Sequence, residues 1–330
     1  MRIAVDAMGG DRAPDEVIEG VRLFLTEESD TEILLVGQRE QLEDSCKDLA
    51  VQLIHAPSVV DMHDSPSTAL KTRRDSSIAV CTKLVKEGKA DALITMGNSG
   101  AAVGFALFIL GRLADISKPA IVAPFPTVNG YTLLLDVGAT VDCKPYHLLQ
   151  WAIMGSVYNR MAFGVENPRV GLLSIGEEKS KGNELTLAAS DLLEKAPINF
   201  IGNVEGVDIM RGTVDVVVCD GFVGNVILKF GEGLAGMFSR AMKIEIDNVF
   251  GADVDSEHRR TFFKETMNRV DYTSYGGAML LGVNGYCLIG HGRSEARAIA
   301  NGIRAARISA EKCPLDEIRR SVEKARSVAA

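Results

Sequence analysis

Asp91-Ala92-Leu93-Ile94-Thr95-Met96-Gly97-Asn98-Ser99-Gly100-Ala101-Ala102 runs from an apolar stretch through a tight turn into a Gly/Ala-rich helix start. A strand that passes directly into a helix implies a crossover connection, and hence parallel pairing. The alternation recurs. Short apolar runs occur at Ile3 to Val5, Glu32 to Val36, Val51 to His55, Ala120 to Phe125, Leu133 to Val137, Val170 to Ile175, Ile198 to Gly202 and Val214 to Cys219, with helical patterns between them. Several are apolar throughout, as strands covered on both faces are. The chain therefore reads as α/β, a doubly wound, mostly parallel sheet. Asn129-Gly130 between two β-rich runs predicts a hairpin, and with it one antiparallel excursion. No Pro/Ser linker, repeat or low-complexity stretch divides the chain, so residues 1–330 read as one continuous domain, two-lobed at most, with 226–270 as a helical protrusion.

The 330 residues are 46% hydrophobic and 24% charged, which places them among packed proteins and excludes disorder. Lys and Arg total 36 against 44 Asp and Glu, a net charge of −8, the wrong sign for a general nucleic-acid binder. An anionic partner must meet a local basic cluster, such as Lys71, Arg73 and Arg74, or Arg259 with Arg260. The six cysteines are widely spaced, with no CxxC and no Cys/His pair at metal-ligand spacing, so no metal is expected and the thiols read as reduced. Met1 leads straight into Arg2-Ile3-Ala4-Val5 with no signal-peptide pattern, and the expectation is a cytoplasmic protein.

Glycine, at 32 residues, gathers after the strands. The turns are Met8-Gly9-Gly10-Asp11, Gly97-Asn98-Ser99-Gly100, Asp136-Val137-Gly138-Ala139, Gly176-Glu177-Glu178 and Asp220-Gly221-Phe222-Val223-Gly224-Asn225. Open α/β sheets bind ligands at the carboxyl ends of their strands. Gly97 to Gly100, with Asn98 and Ser99, would favour an anion such as phosphate; the plainer alternative is a helix N-cap. Lys181, in the loop after Ile175, is a flexible cation suited to phosphate or a developing oxyanion, or simply a solvated loop lysine. Asp220 and Asn225 flank a Gly-rich turn whose plainer reading is an Asx turn. His291, in Gly290-His291-Gly292-Arg293-Ser294, sits after an apolar run and before a helix, a plausible anion-binding turn. Nucleophile-elbow and P-loop motifs are absent. Gly231-Glu232-Gly233-Leu234-Ala235-Gly236 satisfies GxGxxG, but Val226, Phe230, Leu234, Phe238 and Met242 make an apolar i, i+4 stripe that favours a helix there over a dinucleotide site.

Taken in order, these turns resemble the fatty acyl-acyl-carrier-protein:phosphate acyltransferase family of bacterial phospholipid synthesis. The resemblance runs over nearly the whole chain, from Val5-Asp6-Ala7-Met8-Gly9-Gly10-Asp11 through Gly97-Asn98-Ser99-Gly100, Asp136-Val137-Gly138-Ala139 and Lys181-Gly182-Asn183-Glu184 to Tyr275-Gly276-Gly277-Ala278 and Gly290-His291-Gly292. Thr140 and Val207 depart from its usual pattern. It implies a homodimeric Rossmann-like fold related to isocitrate and isopropylmalate dehydrogenases, and a reaction of acyl-ACP with inorganic phosphate that needs no cofactor. The acyl phosphate would pass to a membrane-bound glycerol-3-phosphate acyltransferase. Lys181, Asp220 and Asn225 are then expected in catalysis, and Gly97, Asn98, Ser99, Gly100, Asp136, Gly138, Ala139 and His291 in binding phosphate and substrate. Phe262 and Phe263, beside Arg259, Arg260 and Lys264, suit a peripheral contact with the inner face of the cell membrane, the alternative being a dimer interface or core. Two rivals remain, an NAD- and metal-dependent hydroxyacid dehydrogenase and a non-catalytic lipid or membrane scaffold.

Overall fold

The protein is represented by a computed structural model that describes residues 1–127, 130–250 and 275–329. Its centre is an eleven-stranded sheet in the order β3-β2-β1-β4-β11-β10-β5-β6-β9-β7-β8. The strands are β1 Arg2–Asp6, β2 Glu32–Gly37, β3 Val51–His55, β4 Ala92–Thr95, β5 Ala120–Thr127, β6 Gly130–Leu135, β7 Arg169–Leu173, β8 Asn199–Val204, β9 Val216–Val218, β10 Ala278–Leu281 and β11 Tyr286–Ile289. The helices are α1 Asp15–Glu27, α2 Arg39–Leu42, α3 Pro66–Thr72, α4 Ser77–Lys86, α5 Ser99–Phe105, α6 Pro145–Tyr158, α7 Glu184–Leu193, α8 Gly206–Arg211, α9 Gly221–Phe250, α10 Ala296–Lys312 and α11 Leu315–Ala329. All nine expected runs form strands, and the family fold class holds. The expected hairpin also forms, with β5 and β6 pairing antiparallel down to Thr127 opposite Gly130; Asn129 itself lies outside the described residues.

Alternation along each strand separates two apolar layers. Val5, Leu35, Ile94, Leu135 and Val218 pack on one face with α1, α6, α10 and α11. Ala4, Leu34, Leu93, Leu134 and Val217 pack on the other with α4 and α5. Two buried faces explain why these strands read as unbroken apolar runs.

The sheet reverses direction at its centre. β10 is antiparallel to both β11 and β5, and β5 is antiparallel to β6, so β1 to β4 and β11 run one way while β6 to β9 run the other. The carboxyl ends of the strands therefore do not share one edge, as the glycine turns alone had implied. Pairing instead puts Val5, Ile94, Leu288, Met279, Val122, Leu135 and Val218 in one row across the sheet. Val5, Ile94, Leu288, Leu135 and Val218 are each the last or next-to-last residue of their strand. Turns from both halves thus leave a common line in opposite directions, and the centre of the sheet lies between them.

Candidate active site

The turn after β4 is held from below. Thr95 Oγ1 donates to Asp6 Oδ2 at 2.7 Å, and Gly97 N donates to Thr95 Oγ1 at 3.0 Å. Burial pushes the Asp6 carboxyl up from its ordinary range, against hydrogen bonds that lower it. Gly9 crosses Gly97 so closely that a β-carbon there would lie 2.7 Å from the Gly97 nitrogen, which is why two glycines meet at this point. Asn98 caps α5 by accepting from Ala101 N at 3.0 Å, and its Nδ2 donates to the carbonyls of Met62 and Asp64 at 3.1 and 2.9 Å. Its carboxamide is consumed by the fold, and Ser99 is left exposed at the cavity.

Asp136, fully buried, organises the turn after β6. Its Oδ1 accepts from the backbone nitrogens of Ile121, Gly138 and Ala139, and its Oδ2 accepts from Thr140 N at 2.7 Å. Burial pushes this carboxyl up to about 6 even though those bonds pull it down. Asp220 is spent similarly, accepting from Phe222 N and Val223 N at the start of α9.

Helix α9 begins between two cavities and presents opposite faces to them. Asn225, Leu228, Lys229 and Glu232 line a cavity of about 390 Å³ together with Ser99, Gly138, His291 and Asp11. Ile121 and Ala123 of β5, and Ile289 of β11, form part of its lining across the central strands. Val223 and Ile227, with Asp220, face a second cavity of about 400 Å³ that includes Ser174, Gly182 and Asn183. Lys181 is exposed beside that second cavity, its carbonyl accepting from Asn203 Nδ2 and Ser174 Oγ. The structure thus brings Ser99, Gly138, Asn225 and His291 together, and sets Lys181 and Asp220 across α9 from them. Gly97, Asn98, Asp136 and Ala139 belong to the turns and Gly100 to the first turn of α5, and none of them lines either cavity.

His291 accepts from Arg293 N at Nδ1, 3.1 Å, which leaves Nε2 to carry the proton, 3.5 Å from Glu232 Oε2. Burial, with Lys229 nearby, lowers its pKa, so the ring is neutral near pH 7. Glu232 also pairs with Lys229 at 2.9 Å. Lys229 and Glu232 were not anticipated. The signal was there: they stand four and seven residues after Asn225 on a helix, and hence on its face. GxGxxG lies within α9, where Gly231 packs against the Phe125 ring, and the strand that a dinucleotide site needs over Val226 to Phe230 is not formed. All six cysteines are free. Burial pushes Cys143 to about 11 and Cys287 and Cys313 to about 12, so these thiols stay protonated. Phe262, Phe263, Arg259 and Arg260 lie outside the described residues, within which no helix is long and apolar enough to cross a membrane.

A family model described as Fatty acid synthesis protein matches residues 1–315. A phosphate acyltransferase from Pelotomaculum thermopropionicum is 51% identical over 327 residues, covering 98% of this chain and 95% of the relative. One from Desulfitobacterium hafniense is 49% identical over 327 residues, 98% of each. Among solved structures, the EutD phosphotransacetylase from Staphylococcus aureus matches with a TM-score of 0.60 at 16% identity, covering 93% of this chain and 94% of that one. A phosphotransacetylase from Streptococcus pyogenes gives 0.59 at 16% identity with the same coverage, a likeness of fold. Identity at half of all positions over almost the full length of both chains exceeds what a shared fold requires, and the chain belongs to the phosphate acyltransferase family.

Proposed function

We propose that this protein transfers the acyl group of an acyl-acyl-carrier-protein thioester to inorganic phosphate, supplying acyl phosphate for glycerol-3-phosphate acylation in phospholipid synthesis. Family membership makes it an acyltransferase acting with phosphate. What supports the finer reading is the cavity over the central strands, where turns from two opposed half-sheets bring Ser99, Gly138, Asn225 and His291 around an apolar floor. A phosphate oxygen attacks the thioester carbon; the C–O bond forms, the C–S bond breaks, and sulfur leaves with the electron pair as a thiolate. A free thiol has a pKa of about 8.5, so this leaving group needs little help. Phosphate is itself the nucleophile, which suits a cavity with no cysteine in its lining. The protein's part is to orient two substrates and to stabilise the oxyanion. Asn225 offers amide donors in the cavity, and Lys181 a cation beyond the first turn of α9. An acidic carrier protein would dock on Lys71, Arg73 and Arg74, which are exposed at the end of α3, with the Arg74 guanidinium 5.8 Å above the exposed Phe108 ring.

Purified protein given acyl-ACP should release free thiol only when phosphate is present, at a rate indifferent to EDTA. Release without phosphate, or restored after chelation only by a divalent ion, would overturn the assignment. Turnover of a hydroxyacid with NAD would favour the dehydrogenase, and no turnover of any thioester the scaffold.

The membrane-peripheral part of the reading rests on α9, whose Phe222, Val226, Phe230 and Phe238 are all more than half exposed, at 62, 53, 68 and 52%. A stripe of this kind meets either a lipid surface or the second protomer of a homodimer. Phe230→Asp combined with Phe238→Asp should weaken binding to anionic vesicles more than tenfold while sedimentation still reports a dimer. Vesicle binding like the parent's removes the membrane role, and dissociation to monomers gives the stripe to the dimer.

A further inference from the structure

Behind the substrate cavity, on the other face of the sheet, lies a smaller cavity of about 200 Å³ walled by Val122, Met279 and Leu288 and by Phe163, Ala305 and Ile308. The first three belong to the row that crosses the sheet, and their side chains join the layer opposite Ile121, Ala123 and Ile289. Both cavities are lined by Pro124 and by Gly277, which lie just beyond Val122 opposite Met279, the last β5–β10 pair at that end of the sheet. Gly277 adds no side chain at this point, where a β-carbon would stand 2.7 Å from Leu288 Cδ2 in the wall of the smaller cavity.

Most polar groups in the wall of the smaller cavity already have partners, the Tyr275 hydroxyl donating to the Gly130 carbonyl at 3.2 Å. The Tyr158 hydroxyl and Ser309 Oγ are 2.9 Å apart, and Ser309 donates to the Ala305 carbonyl at 2.8 Å. Arg304 donates to Glu28 and to Asn301 Oδ1, each at 2.8 Å, and also pairs with Glu27. The wall therefore offers a ligand mainly apolar surface, which favours a hydrocarbon over a headgroup or a nucleotide.

Resting on the acyl-transfer reading, we infer that this cavity receives the distal part of the substrate's acyl chain, which passes Pro124 and Gly277 while the thioester stays in the larger cavity. A cavity of about 150 Å³ accommodates benzene, six carbons, so this one takes about eight. Burial of each methylene strengthens binding about fourfold, so the cavity discriminates between long chains that reach it and short ones that end before it.

The test compares kcat/KM for phosphate-dependent thiol release from hexadecanoyl and butanoyl thioesters of one carrier protein. Ala305→Phe, which fills the cavity, should lower the long-to-short ratio at least thirtyfold; Ile308→Trp, from another position in the wall, should lower it in the same direction. A ratio unmoved by both variants, in protein whose thermal unfolding matches the parent's, overturns the assignment. If the parent transfers neither acyl group to phosphate, the acyl-transfer reading falls instead, so the two failures are distinct.

Discussion

Lys181→Ala is expected to lower the rate of acyl transfer to phosphate by two to three orders of magnitude with the fold intact. A cation can stabilise a developing oxyanion only if it is not already neutralised. Lys179 pairs with Glu194 at 2.6 Å and Lys229 with Glu232 at 2.9 Å, whereas Lys181 forms no ion pair among the described residues. Its backbone is anchored: the N–H donates to Glu178 O at 2.9 Å, and the carbonyl accepts from Asn203 Nδ2 at 3.3 Å. The side chain thus hangs from a fixed base into solvent, and its truncation should change stability by no more than about 0.5 kcal/mol. Placed beside the reacting carbonyl, the same charge would be worth roughly 3 to 4 kcal/mol to the transition state. Steady-state kinetics at saturating phosphate, with circular dichroism as the check on folding, decides the matter. Turnover within a few-fold of the parent's would remove Lys181 from the chemistry and leave Asn225, in the central cavity, as the residue to test.

Asp136→Ala should be the most destabilising single change near the site, at about 3 to 5 kcal/mol in chemical denaturation. It strips one acceptor residue from the backbone nitrogens of Ile121, Gly138, Ala139 and Thr140 together, and a buried donor left unpaired costs about 1 to 3 kcal/mol. Gly224 would meet the Asp136 carbonyl oxygen with any side chain at all, so the turn has no slack against α9. A loss below 1 kcal/mol would mean that the turn holds itself. Acidity supplies a second readout. Burial raises this carboxyl to about 6 from an ordinary 3.8, so between those values the folded chain holds a proton that the unfolded chain has lost. Its contribution to stability is complete below pH 3.8 and is lost as pH rises through 6. Relative to Asp136→Asn, the parent should therefore gain stability as pH falls from 7 to 5; a constant difference would contradict the raised value.

Strand positions were legible because a strand buried on both faces must be apolar along its length, and nine such runs stood out. β10 was missed because Ala278-Met279-Leu280-Leu281 is only four residues long and follows two glycines. With it went the reversal of direction, since a run of apolar side chains says nothing about which way its neighbours point. At the site, Ser99, Gly138, Asn225 and His291 were readable from their place after strands. Asn98, Asp136 and Asp220 were found as well, yet their polar atoms serve backbone nitrogens or carbonyls, the ordinary use of Asn and Asp in turns. Lys229 and Glu232 stayed hidden behind a glycine pattern in a segment whose helical period already placed them beside Asn225.

The neighbour of β4 is β11, with Leu93 opposite Cys287. During synthesis β1 to β4 emerge early, but the strand that must lie against β4 arrives only when most of the chain has left the ribosome. Until then Leu93 and Ile94 belong to an exposed apolar edge, open to any other strand that finds it. Completion of the amino-terminal half thus waits on the carboxyl-terminal part of the chain, and a nascent chain stalled before Tyr286 is expected to be a client for chaperones rather than a folded fragment.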